Sequence, residues 1–190
     1  STSLWQLATA GWIQGKAIIA QQLLNHSWKQ TLNSVSNDTK LLPHKPWPWA
    51  DTWPVAKLIV PKHNIEQIVL AGDSGNSLAF APGYSFSSAR PNTAGTTMIS
   101  AHRDTHFNFL KELKLNDTIY IQTADKTMIY QVYDLQIVDS NIITLQPNSD
   151  EAKLVLVTCY PFDAVTPGGS SRYLIYATGQ TTEKQTFSKL

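Results

Sequence analysis

From Val55 to Thr178 the chain alternates short runs rich in β-branched and aromatic residues with compact turn signals, a pattern that predicts strands. The runs are Val55–Val60, Ile65–Leu70, Ser77–Ala81, Thr97–Ala101, Thr118–Gln122, Thr127–Asp139, Leu154–Cys159 and Tyr173–Thr178. Gly72-Asp73-Ser74-Gly75, Pro82-Gly83 and Asn116-Asp117 separate several of them. About eight strands at this spacing imply an all-β domain, either a sandwich or a closed barrel. One helical interruption is expected just after His102, where Phe107, Leu110 and Leu113 recur at every third position.

The first part of the chain has a different rhythm. Between Leu4 and Trp28 there is no proline, and Leu4, Leu7, Trp12, Ile19, Leu23 and Leu24 recur among glutamines and alanines. This spacing predicts an amphipathic helix, either packed on the domain or serving as a juxtamembrane or docking arm. Polar residues dominate from Asn33 to Lys45. Pro43, Pro46, Pro48 and Pro54 then punctuate Trp47, Trp49 and Trp53. Prolines this dense exclude regular helix and predict an extended strap whose indoles cover the flank of the domain. The expected division is a helix and polar linker over 1–45 and a β-domain over 46–190.

Composition narrows the function classes. With 42% hydrophobic and 15% charged residues the chain folds rather than staying disordered. A formal charge of +1 offers no basic stripe for nucleic acid. A single cysteine excludes both a disulfide framework and a cysteine-rich zinc site. No run of about eighteen apolar residues is present to span a bilayer. The chain opens at Ser1 and enters at once into Leu4–Ile13, which suggests that a membrane anchor or signal segment precedes it.

The chemistry concentrates at strand ends. Cys159 closes the apolar run that starts at Leu154, and Pro161 forces the chain out of the ladder directly afterwards. Arg172 opens the next run, so an antiparallel hairpin would put its guanidinium near the thiol. His102 ends the earlier run Met98-Ile99-Ser100-Ala101. A thiol, an imidazole and a fixed cation are the parts of a cysteine acyl-transfer site. In that site the histidine serves as base and acid, while the planar guanidinium steadies an oxyanion or aligns a carbonyl. Taken singly, each residue has an ordinary alternative as a buried thiol, a surface histidine or a solvated edge arginine. Their joint order favours the site.

At these residues the chain resembles the sortases, a family of cysteine transpeptidases. The family's Thr-Leu-x-Thr-Cys signature reads Val155-Leu156-Val157-Thr158-Cys159, with valine for the first threonine. Its Gly-His-Arg context reads Ala101-His102-Arg103, and its arginine maps onto Arg172. Leu78–Tyr84, Ala89-Arg90-Pro91 and His102–Phe107 resemble the subgroup found in Gram-negative, often marine, proteobacteria. Ala81 and Tyr84 depart from that subgroup's Gly-Pro-Gly-His stretch.

The resemblance implies an eight-stranded β-barrel in the cell envelope, anchored to the inner membrane with its catalytic domain in the periplasm. It also implies attack by Cys159 between threonine and glycine of a Leu-Pro-x-Thr-Gly-type sorting signal on a protein substrate. His102 would protonate the departing amine, Arg172 would steady the oxyanion, and an amine acceptor would resolve the thioester. Two alternatives are an envelope peptidase that only hydrolyses the signal and a non-catalytic peptide-binding barrel.

Substrate contacts are expected from Thr158, Tyr160 and Phe162, and from Ile142, Ile143, Leu145 and Pro147 in the loop before the Cys159 strand. No cofactor is called for. His106 follows His102 at metal-pair spacing but lacks the accompanying glutamate. Asp150 and Glu151 form no cluster that demands the calcium some sortases use. Asp104 and Asp163 lie near the site in sequence and are assigned no catalytic role.

Overall fold

The structure, a computed structural model, describes residues 19–34, 43–141, 149–164 and 168–180. Eight strands form a closed barrel in the order β1-β2-β3-β4-β7-β8-β6-β5. They are β1 (Pro54–Val60), β2 (Ile65–Ala71), β3 (Gly83–Tyr84), β4 (Gly95–Ser100), β5 (Thr118–Gln122), β6 (Thr127–Asp139), β7 (Ala152–Cys159) and β8 (Ser171–Gly179). Pairing of β1 with β5 closes the ring, so neither of these strands is left as an open edge. Of the two architectures left open by the strand count, the barrel is the one formed.

Strand chemistry follows burial. In β1 buried and half-buried residues alternate strictly, as one face fills the barrel and the other looks outward. Its inward residues Ala56, Leu58 and Val60 join Ile99, Ile119, Ile121, Leu154, Leu156 and Ile175 in the core. β7 is different because both of its faces are covered. Leu154 and Leu156 point into the core, while Val155 and Val157 pack outside with Leu174, Met98 and Tyr176. That double burial accounts for the unbroken apolar run before Cys159.

One expected strand needs correction. Ser77–Ala81 is not a strand. Residues Gly75–Leu78 turn as a short helix, with Leu78 N–H bonded to the Ser74 carbonyl and Ala79 N–H to that of Gly75. The strand of this region is β3, which lies beside β2. Gly83 makes that approach possible, since a Cβ there would collide with the Gly72 carbonyl and the Asp73 Cα. The helix expected after His102 is a 3₁₀ helix over Asn108–Glu112. Its three-residue turn suits the spacing of Phe107, Leu110 and Leu113, all of which are buried.

The first described helix, α1, runs over residues 19–34 and so continues past Trp28. Leu4, Leu7 and Trp12 lie outside the described residues. The buried face of α1 is Ala20, Leu24, Ser27 and Trp28 rather than Ile19 and Leu23, which remain exposed. Leu24 and Trp28 pack on Ile68, Leu70 and Ala81, with Leu32 and Trp47 at the edge. No helix among the described residues is long and apolar enough to cross a membrane. Two indoles of the strap do cover the flank, Trp47 against Phe80 and Trp53 against Phe86. Trp49 instead projects outward at 83% exposure. Ser27 Oγ donates to the His44 carbonyl and ties helix to strap.

A buried polar knot holds the β5–β6 side of the barrel. Asn92 is fully buried in the left-handed region, with φ of 63°. Its Nδ2 donates to the Ile121 carbonyl at 2.8 Å, and its Oδ1 accepts from the Tyr130 hydroxyl at 3.2 Å. Burial pushes the Tyr130 phenol up to about 12, so it keeps the proton it donates. Asn92→Ala strands both partners and places an alanine at positive φ. We expect it to lower unfolding free energy by about 3 kcal/mol in urea titrations. A loss under about 0.5 kcal/mol, the size of an ordinary surface change, would show the knot to be dispensable.

Candidate active site

Three strands converge on one rim of the barrel, and β7 is the middle one. On one side β4 runs parallel to β7, with Ser100 in register with Val157. The pairing continues past β4, as Ala101 N–H donates to the Val157 carbonyl at 3.2 Å. Thr158 Oγ1 then donates to the Ala101 carbonyl at 2.7 Å. The next residue on the β4 side is His102, which is exposed. On the other side β8 runs antiparallel to β7, with Cys159 directly opposite Arg172. Tyr160 N–H donates to the Ser171 carbonyl at 3.0 Å and carries that pairing past the strand end.

Cys159 therefore lies between the strand that delivers His102 and the strand that delivers Arg172. The thiol is free and half-buried. Sheet register, rather than proximity in sequence, brings the three residues to one end of the barrel.

Each arm of the site is anchored. Phe107 N–H donates to the His102 carbonyl at 3.0 Å, and buried Phe107 and Leu110 fix that turn to the core. Arg103 Nη2 donates to the Ala164 carbonyl at 3.0 Å, linking the histidine turn to the loop after Cys159. Arg172 Nη1 holds the carbonyls of Gly169 at 2.7 Å and Ser171 at 3.0 Å. Nearby, Ser170 and Asn141 hydrogen bonds, together with the Arg172 charge, hold the Asp139 carboxyl below its usual range.

An aromatic cluster braces the thiol's neighbours. Tyr160 stacks on Tyr173 with centroids 6.2 Å apart, and Phe162 meets Tyr173 edge-on at 5.3 Å. His106 is half-buried. Burial lowers its pKa and the adjacent His102 charge acts in the same direction, which favours a neutral imidazole. Gln67 Nε2 donates to its backbone carbonyl at 2.8 Å.

The expected substrate contacts divide three ways. Tyr160 and Phe162 line an open cleft beside the rim, together with Asp104 and Asp163. Thr158 is a correction to the expected contacts. Its side chain is 2% exposed and its hydroxyl is committed to Ala101, so it joins β4 to β7 rather than facing a groove. Ile142, Ile143, Leu145 and Pro147 lie outside the described residues. Asp150 and Glu151 sit before β7, at the end opposite Cys159, where they line a separate depression with Lys126. Among the described residues no three His, Cys, Asp or Glu side chains gather as metal ligands.

Sequence reasoning missed the Arg103–Ala164 link and the presence of Asn108 and Lys111 at the cleft. A signal for the last two was available. They occupy the polar positions between Phe107, Leu110 and Leu113, which the three-residue turn directs away from the core.

An eight-stranded barrel with a cysteine between a histidine-bearing and an arginine-bearing strand defines a narrow class of proteins. Residues 58–180, more than half of the chain, match the Sortase domain family. The chain belongs to the sortase family.

It is 34% identical over 122 residues to Sortase D of Bacillus subtilis, a match covering 63% of this chain and 60% of that protein. It thus spans less than two-thirds of that relative's length. Sortase A from Corynebacterium diphtheriae superposes with a TM-score of 0.61 at 25% identity, covering 72% of this chain and 65% of that one. The Clostridium perfringens Sortase D5 transpeptidase shares the fold at a TM-score of 0.67 and 20% identity, covering 86% and 99%.

Proposed function

We propose that this chain is a cysteine transpeptidase that cleaves a Leu-Pro-x-Thr-Gly-type sorting signal and joins it to an amine. The observation that carries the reading is the placement of Cys159 on β7 between its two neighbours, with Arg172 opposite it in register and His102 directly after the β4 pairing. In the first step the Cys159 thiolate attacks the carbonyl carbon between threonine and glycine. Negative charge gathers on the carbonyl oxygen, where the Arg172 guanidinium opposes it. The C–N bond breaks as the His102 imidazolium gives its proton to the departing amine, leaving a thioester and a neutral imidazole. An incoming amine then attacks the thioester carbon, His102 takes its proton, and the thiolate departs. The cycle returns the starting thiolate and imidazolium.

The same proposal places the enzyme in the envelope of a Gram-negative cell, at the inner membrane with the barrel in the periplasm. Its substrate is a protein bearing the sorting signal.

The test is incubation with a labelled Leu-Pro-x-Thr-Gly peptide, with and without a primary amine, followed by mass spectrometry. A mass increase on Cys159 and an amide-linked product are expected. An adduct that yields only acid would make the protein a peptidase, and peptide bound without an adduct would make it a binding barrel.

A further inference from the structure

Gln67 is a polar residue at an inward position of β2. Its partner in register is Leu58, which is fully buried in the core, and residues paired across a sheet share a face. Val69 and Ile65, two positions away on either side, belong to the same core or pack against it. An amide among these apolar side chains calls for a reason.

The hydrogen bonds give one. Gln67 Nε2 donates to the His106 carbonyl at 2.8 Å. The N–H of that same peptide unit, on Phe107, donates to the His102 carbonyl at 3.0 Å. The C=O and N–H of a trans peptide point in opposite directions, so one peptide plane joins β2 to the backbone of His102. Hydrogen bonds chained in this way polarise and strengthen one another. The second polar atom of the amide has no such use. Gln67 Oε1 is buried without a hydrogen-bond partner among the described residues, a cost that an apolar side chain of equal length would avoid. Stability alone therefore does not account for the amide.

We infer that Gln67 is a positioning residue for His102, holding its turn where the imidazole reaches the departing amine. The inference rests on the transpeptidase reading above. His102 is exposed, so its backbone sets where the ring can reach. Proton transfer to the departing nitrogen requires hydrogen-bond reach in the transition state. Attack by the Cys159 thiolate and opposition of the oxyanion by Arg172 do not pass through this turn. Loss of the Gln67 bond should therefore weaken the acid and spare the nucleophile.

The test compares two substrates of one sequence in wild type, Gln67→Met and Gln67→Asn. Methionine keeps the length and removes the donor, while asparagine keeps the amide and falls one methylene short. One substrate is the labelled Leu-Pro-x-Thr-Gly peptide, whose C–N bond breaks as its nitrogen gains the His102 proton. The other ends at threonine as a 4-nitrophenyl ester, whose C–O bond breaks to release nitrophenolate with no proton. Thermal unfolding is followed on each sample.

Both variants should lose about 20-fold in kcat/KM on the amide, carried by kcat, the scale of a small misplacement of an acid–base group. On the ester, which needs no general acid, the loss should stay under about three-fold. Equal losses on the two substrates, wild-type rates on the amide, a change in KM alone, or unfolding of both variants at the assay temperature would each overturn the assignment. A wild-type enzyme that forms no thioacyl adduct with either substrate would instead overturn the transpeptidase reading, and the assignment with it.

Discussion

Cys159→Ala is expected to remove thioacyl formation and peptide cleavage to below detection, a loss of at least about four orders of magnitude in kcat. The size follows from what the sulfur does in the proposed cycle, since both covalent steps form or break a bond to it. No neighbouring group can replace it. Thr158 is buried with its hydroxyl on Ala101, and no other cysteine exists in the chain. The fold, by contrast, should hardly register the change. Cys159 is half-exposed at the end of β7, and its pairing with Arg172 is made by backbone. Exchanging thiol for methyl there should alter stability by less than about 1 kcal/mol. The measurement is cleavage of labelled peptide alongside thermal unfolding of the same sample. Substantial cleavage by a folded Cys159→Ala enzyme would exclude sulfur as the nucleophile. Peptide binding should persist, which separates loss of chemistry from loss of the groove.

The parts of this fold that were legible in the sequence are those with a local cause. Runs rich in β-branched and aromatic residues made β1 readable to within one residue and, bounded by turns, gave β5 and β6 their observed limits. The Cys159–Arg172 hairpin needed only two adjacent strands and a turn. Ser77–Ala81 misled because its apolar residues are equally compatible with a helical turn packed under Trp47. The deciding feature is the close approach of Gly83 to the Gly72 backbone, which is a tertiary fact. The pairing of β4 with β7 was likewise invisible, because parallel neighbours far apart in sequence leave no local signal. That pairing is what carries His102 to the end of the barrel where Cys159 lies. Motif resemblance supplied the connection that periodicity lacked. The cleft walls, with Asn108 and Lys111, depend on a turn geometry that spacing suggests only after the core-facing side is known.

Arg172→Lys should reduce kcat/KM by about 100-fold, the loss seen when an oriented oxyanion donor is removed. Charge is retained in this variant, so the effect isolates geometry. In the structure Arg172 Nη1 already holds the Gly169 and Ser171 carbonyls, while the register sets the residue opposite Cys159. A guanidinium has five N–H donors on a rigid fork, so it can keep the loop and still present donors to a substrate oxygen. A lysine ammonium is a single centre. It must either hold the loop carbonyls or turn to the reacting carbonyl, and the two tasks compete. A fall carried mainly by kcat would place the lost interaction at the transition state, whereas a rise in KM alone would assign Arg172 to uniform peptide binding. Wild-type kinetics in the lysine variant would mean that charge suffices. The fork geometry would then have no part in the chemistry at Cys159.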